Sequence, residues 1–475
     1  MRFGHTSVVN FLSNLAMSFS GFIATIVLTR TLGQEQYGTY VVVLSVLAWV
    51  AIVSDLGLSS AVKKRVSEAD NGNYIVAGLT AQSFLYIIVA SFLWLVRPYL
   101  NSYIGMDATL ILIALLAVRL LGNFISAVLD GQHLVHVSSL LSPVEWASRS
   151  TVQVFLVLSG FGIAGAFAGY LVGAVVAIIL GSYFTSIDAT VPSRHDFNRL
   201  KSYAQFSWLA SIKGRAFLSM DTLILAVFVA NSTIGVYEIA WNLASLFAIF
   251  GSSIRRTLFP EMSSIASKTE SRGAIAGLLQ TSLAYAGLFI IPGLIGSAIV
   301  GDVILTIYGR GFTTGYYILL TLTFARLLAV YQGQFLNTVD AVDRPDLTFR
   351  INAIFVVLNV ILNVLLIWQF GWYGAAVATT ISAGVGLGLG YYYAKTIIEV
   401  SIPVGEIAKQ LVAACIMGFI VYSGRLLFGE SLATVIGLVV LGAAVYFSAL
   451  LSLSTNFRNT VEDNTPINLS SFLFR

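Results

Sequence analysis

Fourteen stretches of about twenty mostly apolar residues run through the chain, at roughly 8–30, 38–59, 74–96, 108–130, 139–160, 162–184, 204–229, 234–257, 275–300, 316–338, 347–369, 373–394, 405–424 and 432–454. Each is long enough to cross the hydrocarbon of a bilayer as an α-helix. Backbone in lipid must satisfy its own hydrogen bonds, so stretches of this kind fold as helices. The charge content agrees. Only 10% of the 475 residues are charged, against about 25% in an average soluble domain. A soluble chain of this length needs a charged shell around its cores. Soluble enzymes, nucleic-acid-binding modules and disordered chains are thereby excluded. The expected fold class is an all-α membrane protein of about 14 transmembrane helices. The single cysteine, Cys415, excludes an intramolecular disulfide.

The basic residues set an orientation. With both termini inside, the cytoplasmic segments hold 17 of the 26 Lys and Arg, among them Lys63, Lys64, Arg65, Arg194, Arg199, Lys201, Arg255 and Arg256. The outer segments hold four: Arg30, Arg97, Arg310 and Arg425. The remaining five, Arg119, Arg149, Lys213, Arg215 and Arg326, fall within spans. This asymmetry follows the positive-inside rule. It points to a multi-pass cell-membrane protein with both termini cytoplasmic. The first span is too long and too rich in Asn and Ser for a cleaved signal peptide.

Three landmarks recur in the two halves. Gly38-Thr39-Tyr40 opens the second stretch, and Gly235-Val236-Tyr237 opens the eighth, 197 residues on. Arg119-Leu120-Leu121 lies 207 residues before Arg326-Leu327-Leu328. The small residues Gly165, Gly169, Gly173, Ala177 and Gly181 are matched by Gly374, Ala378, Ser382, Gly386 and Gly390, each 209 residues on. Six spans per repeat is an even number, so both repeats share one orientation. Parallel repeats predict a pseudo-two-fold along the membrane normal, with a substrate site between two six-helix bundles. The expected organisation is bundles at 1–185 and 204–397, a cytoplasmic linker at 186–203, two extra helices at 398–454 and a cytoplasmic tail at 455–475.

The segment Arg30-Thr31-Leu32-Gly33-Gln34-Glu35-Gln36-Tyr37-Gly38-Thr39-Tyr40 resembles the opening signature of the prokaryotic polysaccharide biosynthesis proteins. Asp55-Leu56-Gly57-Leu58 with Lys63-Lys64-Arg65, then Leu258-Phe259-Pro260 closing span 8, then Asn363 with Gly371-Trp372-Tyr373-Gly374-Ala375-Ala376-Val377-Ala378-Thr379, resemble its further motifs. That family shares a superfamily with the multidrug-and-toxin exporters and the peptidoglycan-precursor flippases. The resemblance implies a flippase. Such a protein moves an isoprenoid-phosphate- or pyrophosphate-linked oligosaccharide from the cytoplasmic to the outer leaflet by alternating access. Its implied partners are the lipid-linked glycan, membrane lipids and glycosyltransferases. The resemblance also implies a cavity arginine at Arg30, within the matching motif. Arg30 ends span 1 and is equally placed to snorkel to the interface.

The intramembrane charges carry the chemistry. A cation at the bilayer centre costs about 2.5–3.5 kcal/mol on insertion scales and usually faces water or a bundle interior. Arg119, Arg149, Lys213, Arg215 and Arg326 all sit near mid-depth, against the acids Glu145, Asp221 and Glu238. The surplus of positive charge suits a phosphate, which Arg binds bidentately. These cations and Arg30 are the candidate substrate-binding residues. Glu145 and Arg149, four apart, are also spaced to pair along their own helix. Asp221 has no cation three or four residues away and is the candidate for coupling to a proton or sodium ion; an ion pair with Lys213 is its structural alternative. Asn359 and Asn363 share a face and read as interhelical glue. His133 and His136 lack a third ligand nearby, so no metal is expected. Pro143 and Pro292 are expected to kink their spans.

No Gly-Lys dipeptide occurs, so there is no Walker A loop; Gly-x-Ser-x-Gly and His-Glu-x-x-His are absent too. No cofactor and no enzymatic step are expected. A drug/cation antiporter of the same fold would favour unpaired carboxylates, against the positive interior. A membrane glycan polymerase or ligase needs a large outer loop, and the longest outer connection is 301–315.

Overall fold

A computed structural model describes residues 3–68, 72–187, 190–267 and 272–464; the side chains of 3–19, 206, 208–219 and 463–464 lie outside the description. Among the described residues, eleven segments are helical, long and apolar enough to cross a membrane. The chain is a multi-pass, all-α membrane protein. By packing it divides into two compact units, 1–235 and 236–475.

The first unit contains α1 (Phe3–Asp55), α2 (Leu58–Val66), α3 (Tyr74–Leu95), α4 (Arg97–Ile104), α5 (Thr109–Gly131), α6 (Val135–Leu156), α7 (Gly162–Phe184), α8 (Arg194–Phe228) and the first turn of α9 (Asn231–Ser267). Gly33 interrupts α1 with φ 72 and ψ −176, a backbone region open to glycine because it has no Cβ. The expected loop between the first two spans is otherwise helical. Small residues bring α7 onto α6. A Cβ at Gly169 would stand 2.6 Å from the Gln153 nitrogen, and one at Gly173 would stand 2.7 Å from the Glu145 carbonyl oxygen. Lipid gives helices no hydrophobic drive to associate, so such close approach and interhelical hydrogen bonds hold them. Buried Gln153 supplies two, to the Ala166 carbonyl (2.7 Å) and the Tyr40 hydroxyl (2.9 Å).

The expected linker 186–203 does not separate the units. A Ser193–Asp196 capping box starts α8. Leu200 and Ala204 then join an apolar cluster with Leu58, Ala61, Val62 and Phe124. Glu68 accepts from Arg65 (2.8 Å) and Arg199 (3.2 Å), and Arg199 donates to the Tyr74 hydroxyl (3.0 Å). This packing assigns α8 to the first unit and moves the boundary to Gly235. There α1 and the start of α9 touch backbone to backbone. A Cβ on Gly38 would overlap the Asn231 carbonyl oxygen at 1.7 Å, and one on Gly235 would lie 2.6 Å from the Gln34 carbonyl oxygen.

The second unit holds the rest of α9, then α10 (Arg272–Ala286), α11 (Ile290–Leu305), α12 (Tyr316–Ala341), α13 (Pro345–Phe370), α14 (Trp372–Ile397), α15 (Val404–Phe428), α16 (Leu432–Leu453) and α17 (Thr455–Asn464). Two proline readings change. Pro260 lies inside α9 and does not close it. Pro292 does not kink a continuous span. The helix breaks at 287–289, and Pro292 occupies the first turn of α11, where a missing N–H costs little. Asn359 donates to Thr379 across α13 and α14 (3.4 Å), and Asn363 donates to Asn359 (3.0 Å). Both are buried, and Asn359 joins the two helices while these bonds of Asn363 stay within α13. The terminal pair docks on α11 through Ile291, Val300, Val303, Met417, Val421 and Leu438. Arg425 ties the same elements, donating to both oxygens of Asp302 (3.0 and 2.7 Å).

Candidate functional site

The sequence-selected arginines meet different surroundings. Arg149, half-buried on α6, lies between two rings, 4.8 Å from the Trp146 centroid and 4.2 Å from that of Tyr170. It donates to the Tyr40 hydroxyl at 2.6 Å. The ring faces attract the guanidinium charge. Guanidinium carries five N–H donors, and that to Tyr40 is the one hydrogen bond Arg149 makes among the described residues; its Nε is buried and unpartnered. Glu145, one turn away, is not within ion-pair distance of it among the described residues. The intrahelical pair allowed by spacing does not form, because Tyr40 and the two rings take the guanidinium.

Arg119 is half-buried on α5. It lines a cavity of about 140 Å³ with Asn123, Ser126, Ser142, Glu145 and Tyr170. Acid and base thus share one polar chamber inside the first unit, under the small-residue face of α7.

In the second unit, Arg326 on α12 lies 3.9 Å from the Trp241 ring centroid and donates to Ser245 at 2.6 Å, both on α9. Arg119 and Arg326 therefore have different neighbours. Their registers also differ. Each stands ten residues after its helix start, yet Arg119 is 11 residues before Asp130 and Arg326 is 14 before Asp340. Those aspartates open equivalent turns, with His133 at φ 63 and Asp343 at φ 61. Counted from the turns, the two arginines are nearly one helical turn apart.

Sequence reasoning missed Arg255. With Leu258-Phe259-Pro260 read as closing span 8, the sequence reading puts Arg255 in a cytoplasmic segment. In the structure α9 continues three turns beyond it. Arg255 is half-buried, and its Nη1 occupies the space that a side chain on Gly333 would fill, 3.1 Å from an ideal Cβ there. Among the described residues its guanidinium donates no hydrogen bond. The overlooked signal was the small Gly333 one helix away, which only packing reveals.

Arg30 is exposed. Asp221 is half-buried on α8 and engaged in a polar or electrostatic contact. The side chains of Lys213 and Arg215 lie outside the described residues.

Residues 4–266, more than half of the chain, match the family described as polysaccharide biosynthesis protein. The "Probable flippase AglR" of Haloferax volcanii is 30% identical over 469 residues, covering 97% of this chain and 98% of its own length. The "Probable low-salt glycan biosynthesis flippase Agl15" of the same organism is 28% identical, covering 95% of each chain. Among solved structures, a lipid II flippase MurJ in an inward closed conformation aligns with TM-score 0.76 at 15% identity, covering 94% of this chain and 100% of that one. An inward-facing MATE family multidrug resistance transporter of the MOP superfamily aligns with TM-score 0.59 at 17% identity, over 82% of this chain and 94% of that one. These two likenesses concern the fold. The helical membrane architecture, the family match over more than half the chain and the near-full-length relative together mean that the chain belongs to the polysaccharide biosynthesis protein family.

Proposed function

We propose that this protein is a flippase, not an enzyme, and moves a lipid-linked oligosaccharide from the cytoplasmic to the outer leaflet by alternating access. One observation carries the reading. Arg119, Arg149 and Arg255 are half-buried in membrane helices with most or all of their guanidinium donors unengaged among the described residues. Desolvated donors of this kind are costly unless water or an anion meets them. A phosphate or pyrophosphate joining glycan to lipid is such an anion, and it accepts the bidentate fork of Arg. Arg326, Arg30, Lys213 and Arg215 remain candidates for the same substrate. The relatives named as flippases support the direction of the reading.

We also read the chain as fourteen spans in two parallel six-helix repeats plus the terminal pair, with both termini cytoplasmic. At about 1.5 Å per residue, the 53 residues of α1 and the 50 of Val135–Phe184 are each more than twice the thickness of bilayer hydrocarbon. Each breaks at glycines, Gly33 in one and Gly160 with Gly162 in the other. Three pairs of features support the repeat. Gly162 (φ 55, ψ −140) and Gly371 (φ 59, ψ −142), 209 residues apart, share one conformation. The turns at His133 and Asp343 share one hydrogen-bond pattern: Leu134 N–H to the Leu129 carbonyl, and Arg344 N–H to the Val339 carbonyl. The contacts of Gly38 with Asn231 and of Gly235 with Gln34 are reciprocal under the same 197-residue offset, as contacts across a two-fold are.

Binding of a polyprenyl phosphate to purified protein tests the function. Arg119→Ala and Arg255→Ala should each weaken binding about tenfold while the protein stays folded, and Lys should restore part of it. Equal affinity in wild type and both variants would make these arginines structural.

A further inference from the structure

A second polar chamber lies in the second unit, far along the chain from any residue assigned above. It has a volume of about 550 Å³, between α10, the start of α15 and the junction of α16 with α17. That is within the range of small-molecule sites, about 300–1,000 Å³. Gln280, Thr281, Tyr285, Asn456, Asn459 and Thr460 present amides and hydroxyls, and Phe457 adds an apolar ring.

Among the described residues one carboxylate, Glu406, is in the lining, and it is already occupied. It takes Lys409 at 2.8 Å, Ser454 at 2.5 Å and Asn456 at 3.1 Å. Among the described residues no cation lines the chamber. Gln410 closes its floor, 3% exposed, with its NH2 on the Ala284 carbonyl (2.5 Å) and its Oε1 buried without a donor. Gln280 and Asn459 are exposed, and their amides make no hydrogen bond among the described residues.

Each ligand class fares differently in such a lining. A phosphate finds no cation among the described residues. A cation finds a carboxylate already neutralised by Lys409. A hydrocarbon tail would strip water from amides and hydroxyls without replacing it. A polyol both donates and accepts at every hydroxyl, as this lining does, and a pyranose also offers a C–H face to an aromatic ring.

We propose that this chamber is a binding site for a neutral saccharide, distinct from the arginines proposed above for the phosphate. It deepens the flippase reading and rests on it for its biological meaning. The sugars of a lipid-linked glycan would be held at the terminal helix pair, on the side that the basic residues place in the cytoplasm. Sugar recognition and phosphate recognition then rest on different residues of one protein.

Saturation-transfer NMR on the full chain in nanodiscs, prepared without sugar-headed detergent, tests this. The probes are methyl β-glucopyranoside and N-acetylglucosamine. A glucosyl diacylglycerol, added to the disc in a second arm, tells a lipid-borne sugar from a free one by competition. Transfer to at least one saccharide is expected in wild type. It should fall at least fivefold in Gln280→Ala/Asn459→Ala, whose side chains make no bond that holds the fold. The same variant should bind polyprenyl phosphate as wild type does, and Arg119→Ala should keep the saccharide signal. Competition by the glycolipid identifies the lipid-borne source; its absence identifies free saccharide, and either supports the site. No transfer to either sugar in wild type, or equal transfer in the double variant, overturns it. Because the readout is sugar binding alone, that failure leaves the flippase reading to its own phosphate-binding test.

Discussion

At the residue scale, the same residue type does different work according to what surrounds it. Arg149 is held by two rings and a tyrosine hydroxyl, whereas Arg119 borders a chamber shared with an acid. Glycines divide in the same way. Gly38 has no room for a side chain, while a Cβ on Gly388 in α14 meets nothing within 4 Å. Gly38→Ala should therefore force α1 and α9 apart and lower stability by about 1–3 kcal/mol, the usual cost of overpacking. Gly388→Ala should instead raise stability by about 0.5–1 kcal/mol through helix propensity. Thermal unfolding of purified protein should separate the two in sign; a harmless Gly38→Ala would mean that the close contact does not persist. Asp221 carries a prediction of another kind. If it couples transport to an ion, Asp221→Asn should keep substrate binding but make glycan transport in proteoliposomes indifferent to the ion gradient. Full gradient dependence in the variant would remove Asp221 from that role.

At the element scale, the first turns of α8 are held to α2 and α3 by ions as well as by apolar packing. The Arg65 guanidinium donating to Glu68 holds that carboxyl below its ordinary range. A carboxyl with a lowered folded value contributes stability above its unfolded value and loses it as pH falls through the folded one. The Glu68 clasp on Arg65 and Arg199 should accordingly be complete at neutral pH and loosen in acid, below the ordinary carboxyl range. Hydrogen exchange or limited proteolysis over 194–203, followed from pH 6 to pH 3, should show protection falling in wild type. Glu68→Gln should start lower and stay flat. Protection in wild type that is unchanged by acid would leave apolar packing through Leu200 and Ala204 as the whole of the clasp. The surface position of Glu68 keeps the effect small and sensitive to salt.

At the scale of the whole molecule, orientation decides the direction of transport. The reading with both termini inside puts 190–193 in the cytoplasm and the 306–315 turns outside. In a Cys415→Ser background, Val191→Cys should resist a membrane-impermeant thiol reagent added to intact cells, and Thr314→Cys should label. Val191 is 93% exposed, so resistance would reflect the membrane and not burial. Labelling of Val191→Cys from outside would reverse the leaflets. The two compact units also differ from a division read at the most polar connection. Packing keeps α8 with the helices before it.

What the sequence determined alone follows from the solvent. Lipid requires long apolar helices, so the helical multi-pass class is legible from the sequence alone. The small-residue row on α7 and the paired Asn359 and Asn363 were legible too, because helical spacing fixes which residues share a face. Tertiary structure decided what spacing leaves open. Pro260 can sit within a helix where neighbouring helices support it, and the helix end could not be read from proline alone. Whether Arg149 turns to Glu145 or to Tyr40 depends on a residue 109 positions away. The place of Arg255 depends on the absence of a side chain at Gly333. Each of these outcomes turns on contacts between distant segments, where the competing energies differ by little and only the packed geometry selects between them.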